Sequence, residues 1–179
     1  MLSKEDLEKL FLENGFADFK WIDPQKIVIA QWVRMKCIFG CPNYGQGAIC
    51  PPNNPPISEC ERFIGEYQDA VIFHFAKKFE NPEDRHAWTK KITSRLLDLE
   101  REVFLAGHVK TFLLPMDTCE ICKKCVKERG ACKHPKFSRP TPEGLGIDVF
   151  STVRQLGYPI EVLKDYSKTM NRYAFLLIE

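Results

Sequence analysis

Eight cysteines in 179 residues are the side chains with the most chemistry to offer, and their spacing divides them into two sets. The second set is the tighter: Cys119-Glu-Ile-Cys122-Lys-Lys-Cys125, then six residues to Cys132. Three thiols at successive C-x2-C intervals can aim three thiolates at three irons of a [4Fe–4S] cluster, with Cys132 as the fourth ligand. Tetrahedral zinc is the alternative, because a C-x2-C pair also makes one knuckle of a zinc site. Zinc needs two such pairs, whereas this run crowds three thiols into one turn. His134 is read as a hydrogen-bond partner of a sulfur or a backbone carbonyl, with zinc ligation as its other reading.

The first set, Cys37-x3-Cys41-x8-Cys50-x9-Cys60, is looser. It occupies and just overruns a stretch, Cys37 to Pro56, with five prolines and three glycines in twenty residues. Such a stretch is expected to be a loop, and a loop this long inside a compact domain is usually functional. Pro42, Pro51 and Pro52 stiffen the chain beside Cys41 and Cys50, and Gly40, Gly45 and Gly47 permit close backbone approach. Cys60 has two readings. Near a helix start the positive end favours its thiolate, while its place on that helix's apolar face suits a small buried hydrophobe. Without Cys60 the site has three thiolates and an open metal position, an arrangement suited to substrate binding. All eight cysteines (37, 41, 50, 60, 119, 122, 125 and 132) are candidate ligands, enough for two [4Fe–4S] clusters.

The surroundings have a sign. From Cys119 to Arg139, seven cations (Lys123, Lys124, Lys127, Arg129, Lys133, Lys136 and Arg139) face two carboxylates, Glu120 and Glu128. This excess would offset four thiolates and could dock an acidic electron-carrying protein; a lysine-rich solvated surface is the plainer reading. A formal net charge of +2 for the whole chain gives no reason to expect nucleic-acid binding. His74 is expected to pack within a strand, and His86 and His108 to lie on helix surfaces. No Ser-His-Asp order, P-loop or G-x-G-x-x-G is present.

Positioning the thiols falls to alternating helices and strands. Ser3 and Gly15 bracket a first helix, Lys4–Asn14. The β-branched run at Lys26–Arg34 reads as a strand, and Ser58 with Glu61 as the capping box of a second helix whose face carries Cys60, Phe63, Ile64 and Tyr67. Asp69–Lys77 reads as a strand. A long helix comes next, with Asn81 as N-cap, Pro82 at N1, a stripe of Trp88, Ile92, Leu96, Leu99 and Val103, and Gly107 as its stop. Val109–Met116 reads as a strand feeding the second cysteine set. Thr141 and Pro142 open a helix that runs to Gly157, and Tyr158–Lys164 and Arg172–Glu179 close the chain as strands. The pattern predicts one α/β domain over 1–179, a mixed sheet flanked by helices, with both cysteine loops (37–60 and 119–139) at strand ends. The charged, helical start and the lack of a long apolar run point to the cytoplasm, where clustered thiols are metal ligands more often than disulfides.

Taken together, Cys37…Cys41-Pro-Asn-Tyr-Gly…Cys50-Pro-Pro and Cys119-x2-Cys122-x2-Cys125…Cys132-x-His134-Pro135…Arg139-Pro140…Glu143…Gly146-Ile147-Asp148-Val149 resemble the DUF2284 family of predicted metal-binding proteins. The resemblance runs from about Cys37 to the end. It implies metal binding by these cysteines and little about reaction or substrate. Gly144 departs from the small non-glycine helix former expected there. Glu143 and Asp148 could bind a cation or substrate near the cluster; the structural reading has Glu143 complementing a helix dipole and Asp148 on a helix surface or pairing with Arg139.

The residues therefore point to a cytoplasmic iron–sulfur protein that transfers electrons or gives reductive support to a larger pathway. A zinc-stabilised, non-catalytic binding module is the alternative.

Overall fold

The computed structural model describes residues 1–81, 83–165 and 168–179. Its regular elements are α1 (Lys4–Glu13), β1 (Phe19–Ile22), α2 (Gln31–Gly40), α3 (Ile57–Gly65), β2 (Ala70–Lys77), α4 (Asp84–Leu105), β3 (Phe112–Leu114), α5 (Val149–Gln155) and β4 (Met170–Leu177), with short 3-10 turns at Pro24–Lys26 and Glu143–Leu145. The strands pair antiparallel throughout in the order β1-β2-β4-β3. Ala70 lies opposite Leu177, and the register holds to Lys77 opposite Met170.

Side chains alternate across the sheet, so each strand feeds two cores. Val71, Phe73, Leu113, Ala174 and Leu176 pack with Leu7 and Phe11 of α1 and with Leu96, Leu99 and Val103 of α4. Ile72, Leu114, Tyr173, Phe175 and Leu177 point the other way, onto Cys60 and Ile64 of α3 and onto Val149 and Val153 of α5. Helices on both faces explain why β2 and β4 are nearly continuous apolar runs although their sheet is antiparallel. The α/β class and the flanking helices are as the sequence predicts. Among the described residues, no helix is long and apolar enough to cross a membrane.

The first helix matches its signals. The Ser3 hydroxyl accepts the Asp6 amide at 3.2 Å, and Gly15 adopts φ +77° while the Phe16 amide reaches back to Phe11 O at 2.8 Å. Elsewhere local signals mislead. Of the expected strand Lys26–Arg34, Lys26 closes a 3-10 turn, Ile29 makes only an isolated bridge to Ile147, and the chain from Gln31 is helical. The β-branched run stops at Ile29. The next stretch, from Gln31 to Cys37, reads Gln-Trp-Val-Arg-Met-Lys-Cys and is mostly compatible with helix, and a short apolar run does not separate the two states. Cys37 consequently lies in α2 and Cys41 caps it, so the first set comes after a helix rather than a strand.

Other expectations shift as well. α3 starts after Pro56 without a side-chain cap, so Ser58 and Glu61 form no capping box. α4 starts after Glu83, also without a side-chain cap; Asn81 contributes its carbonyl to the Asp84 amide at 3.1 Å, and Pro82 lies outside the described residues. The strand expected at Val109–Met116 shrinks to β3. The helix expected from Thr141 to Gly157 is split, because Gly146 takes φ +84° after the turn at Glu143–Leu145 and α5 restarts behind it. A side chain at Gly146 would also collide with Ile57, whose Cδ1 lies 2.3 Å from the Cβ position. Residues 158–164 are irregular, not a strand.

Candidate metal centre

Helix α2 sets two thiols of the first group. Cys37 and Cys41 are four residues apart, the spacing that stacks side chains on one face of a helix turn. Buried Arg34 fixes that helix: its Nη2 donates to Pro55 O and to Gly144 O, both at 3.1 Å. Asn54 Nδ2 donates to the same Gly144 carbonyl at 2.9 Å, and a Cβ on residue 144 would sit 2.9 Å from that nitrogen. A side chain at 144 would displace the Asn54 amide from this contact. Cys50 comes next in a sequence of tight turns, with its amide on Gly47 O at 3.0 Å and its carbonyl receiving Asn53 N–H at 2.9 Å. Gly47 leaves room for the Cys50 sulfur, which would lie 3.1 Å from a Cβ there.

These three thiols feel one another. Burial pushes the Cys37 thiol up, helped by Cys41 and Glu143; burial also raises Cys50, reinforced by Cys41, Cys37 and Cys125. Cys60 stands apart. It is buried in the core beneath the sheet, its thiol donating to Pro55 O at 3.5 Å. Its thiol is raised by burial, and the charges around it are those of Arg34 and Glu59.

The second group lies on a stretch from 115 to 142 without helix or strand. Cys119 is raised by burial, opposed by the backbone of Ile121 and reinforced by Cys132, Cys125 and Cys122. Cys132 is lowered, first by the Ser138 hydroxyl 3.5 Å away. The backbone of His134 adds to this, and its carbonyl accepts the Phe137 and Ser138 amides at 3.1 Å. The cations expected to surround the group are present, and all but partly exposed Arg139 are open to solvent.

The two loops adjoin. Cys125 Sγ accepts the Ala48 amide of the first loop at 3.3 Å and the Lys127 amide of its own loop at 3.5 Å. Asn53 bridges the loops: Nδ2 donates to Gly47 O at 3.2 Å and to Lys127 O at 2.8 Å, while Oδ1 accepts Arg129 N–H at 3.3 Å. Lys127 takes φ +67°, the only non-glycine among the described residues with positive φ, so the clamp holds a backbone shape that is intrinsically unfavourable. A buried carboxylate, Glu100, anchors the far end of the loop. Its Oε1 accepts Arg139 Nε at 2.9 Å and the Leu113 amide at 2.8 Å.

Arg139 therefore pairs with Glu100, not with Asp148. Asp148 instead caps α5, accepting the Ser151 amide at 3.0 Å and the Ser151 hydroxyl. His74 is packed as expected, held between Asp18 at 2.6 Å and Asn171 at 2.8 Å and stacked on Tyr173. His86 is exposed and meets Glu120 of the second loop at 2.7 Å. His108, expected on a helix surface, is buried, with Nε2 donating to Leu2 O at 3.2 Å.

Glu143 sits beside the first group. Its side chain is exposed to solvent yet crowded by protein around it, and that crowding pushes its carboxyl above the usual carboxylate range; its own backbone amide, the Arg172 charge and the Thr141 hydroxyl oppose the shift. It lines three adjacent cavities, one of about 220 Å3 with Cys37, Cys41, Cys50 and Arg172 on its wall. Arg172 is itself held by Asp117 at 3.0 Å. The sequence offers no signal for Arg172, Asn53 or Glu100 as site residues.

Among the described residues, no three His, Cys, Asp or Glu side chains converge closely enough to enclose a metal ion. What the structure shows is the donor chemistry. Burial and then neighbouring thiols raise Cys37, Cys50 and Cys119, Cys132 is lowered, and two backbone amides point at the sulfur of Cys125. Soft thiolates in a nest of amides suit zinc or iron–sulfur clusters, and hydrogen bonds to sulfur are a recognised means of stabilising the latter.

The fold is α/β, with seven of its eight free thiols on or beside two adjoining loops. The chain belongs to the DUF2284 family of predicted metal-binding proteins, whose profile matches residues 20–178. No curated protein and no solved structure matches it.

Proposed function

We propose that the chain is a cytoplasmic iron–sulfur protein with two adjoining centres that serves electron transfer or reductive support of a larger pathway. Cys119, Cys122, Cys125 and Cys132 would hold one [4Fe–4S] cluster. Cys37, Cys41 and Cys50 would hold the other and leave one position for an exogenous ligand, with Cys60 in the core. The observation that carries this reading is the junction at Cys125, where amides of both loops donate to one sulfur and Cys50 lies close enough to feel its charge. Such clusters, when bound, supply one-electron reduction at potentials set by amide bonds and nearby charge.

The chain's own residues do the rest. The Ala48 and Lys127 amides orient Cys125, Ser138 favours the Cys132 thiolate, and the exposed lysines from 123 to 136 offer a docking surface to an acidic electron-carrying protein. Anaerobic purification, then iron, sulfide and zinc analysis, tests the proposal. The expected product is brown, with broad absorption near ~400 nm from thiolate-bound iron. A colourless protein holding stoichiometric zinc after anaerobic reconstitution would favour the zinc-stabilised module instead.

A further inference from the structure

Between α2 and the start of α5 lies a cavity of about 780 Å3, within the range of pockets that hold small organic molecules. Cys37 and Cys41 form one edge, and Glu143 stands at that edge. The walls are mainly apolar, with Trp32 on α2 and Phe150 on α5 as their aromatic members. Trp32 is 48% exposed, which is high for so large an apolar side chain.

Each aromatic wall carries a cation. Lys36 Nζ lies 4.9 Å from the centre of the Trp32 ring, and the Arg154 guanidinium 5.5 Å from that of Phe150. Both cations line the cavity. Neither has a carboxylate partner among the described residues. Asp148, which also lines the cavity, is committed to Ser151. The vestibule therefore combines aromatic surface with two cations that no carboxylate pairs directly, although Glu143 and Asp148 share its lining, and its inner edge is the proposed three-thiolate centre.

We propose that this cleft binds a small aromatic carboxylate, with its ring on the Trp32 and Phe150 walls and its carboxylate toward Lys36 and Arg154. The proposal rests on the three-thiolate reading only for what the bound molecule faces; the cleft itself is built by protein side chains.

The test uses the full chain, purified anaerobically, with 1-naphthoate as probe and 1-naphthalenemethanol as its neutral counterpart, monitored by tryptophan fluorescence and equilibrium dialysis. The acid should bind saturably at one site and the alcohol about tenfold more weakly, while Arg154→Gln and Lys36→Gln should each weaken the acid about fivefold. Lys78→Gln, on an exposed lysine away from the cleft, should leave binding unchanged. Equal affinity for acid and alcohol, or unaltered affinity in both cleft variants, would overturn the proposal. Metal analysis of the same samples separates the two readings. Iron-loaded protein that ignores naphthoate defeats the cleft alone, whereas naphthoate binding to a protein that never takes up iron supports the cleft and defeats the cluster.

Discussion

Cys50 and Cys60 show how little a cysteine's type says about its work. Cys50 shares a cavity wall with Cys37 and Cys41, while Cys60 is 1% exposed and packs with Ile64 and Tyr67. Cys60→Ala should leave metal stoichiometry unchanged and cost about 1–2 kcal/mol of stability through the lost sulfur and the small void behind it. Cys50→Ala should keep the fold and empty the first centre. Metal analysis paired with thermal unfolding checks both, and loss of a whole centre in Cys60→Ala would refute the three-thiolate assignment. Tyr67 gives a second test at this scale. It is buried with its hydroxyl donating to Lys110 O at 2.8 Å, and burial pushes its pKa up to about 12 from 10.0. A raised phenol keeps its proton in the folded chain after the unfolded chain has lost it. The resulting stabilisation is complete below about pH 10 and disappears as pH rises toward 12. Tyr67→Phe should therefore lose less stability across that interval than the parent, measured by denaturant unfolding at each pH. At the residue scale the cysteines are legible because C-x2-C and C-x3-C are local patterns. Asn53, Glu100 and Arg172 are not, because each acts on a partner more than thirty positions away or, for Glu100, on a strand and a loop met only after folding.

Elements are legible where local and tertiary preferences agree. The stripe on α4 and the caps of α1 fall in this class, since the same residues that favour the helix also bury its face. The reading fails at α2 and at 141–157. In the first case three β-branched residues suggest a strand, but the sheet has its edge at β1, and Ile27–Ile29 reaches only the Ile147 turn. In the second, Gly146 breaks a helical pattern to let Ile57 pack close. The consequence for the site is concrete: the C-x3-C pair rides on a helix, and Cys50 must be brought to it by the turns of residues 42–56. Asn53 holds those turns against the second loop, with three hydrogen bonds spanning Gly47, Lys127 and Arg129. Asn53→Ala should cost about 1–3 kcal/mol from the groups left unpaired. It should also lower metal content in both centres together, because the Ala48 amide would no longer be held against Cys125. Asn53→Asp, which keeps the acceptor for Arg129 N–H and loses the donor to Lys127 O, should fall between. Metal loss confined to one centre in Asn53→Ala would show that the loops act separately.

At the scale of the molecule, the two cores pack against opposite faces of the sheet, and the cysteine-bearing segments lie at their margin. A strand running to Met116 would anchor Cys119 and make 119–139 the more durable site, since loop length alone separates the two sites by only about half a kcal/mol. The structure reverses the anchoring. β3 ends at Leu114, and from 115 to 142 the chain has no helix or strand; it is held by Arg139 on Glu100, by Asn53 and by the pairing of His86 with Glu120. Two of the first group's three thiols, by contrast, belong to α2, which buried Arg34 fixes to Pro55 and Gly144. In the protein proposed here, the metal's binding energy would therefore order more chain at the second site than at the first. Metal removal should accordingly expose 119–139 before 42–56, with the sheet unaffected throughout. A chelator titration read out by limited proteolysis checks the order: the first cuts should fall after the lysines and arginine at 123–136, at a chelator concentration where circular dichroism is unchanged. First cuts at Lys36 or Arg62, which flank the first loop, would show that α2 depends on metal and that the anchoring argument is wrong.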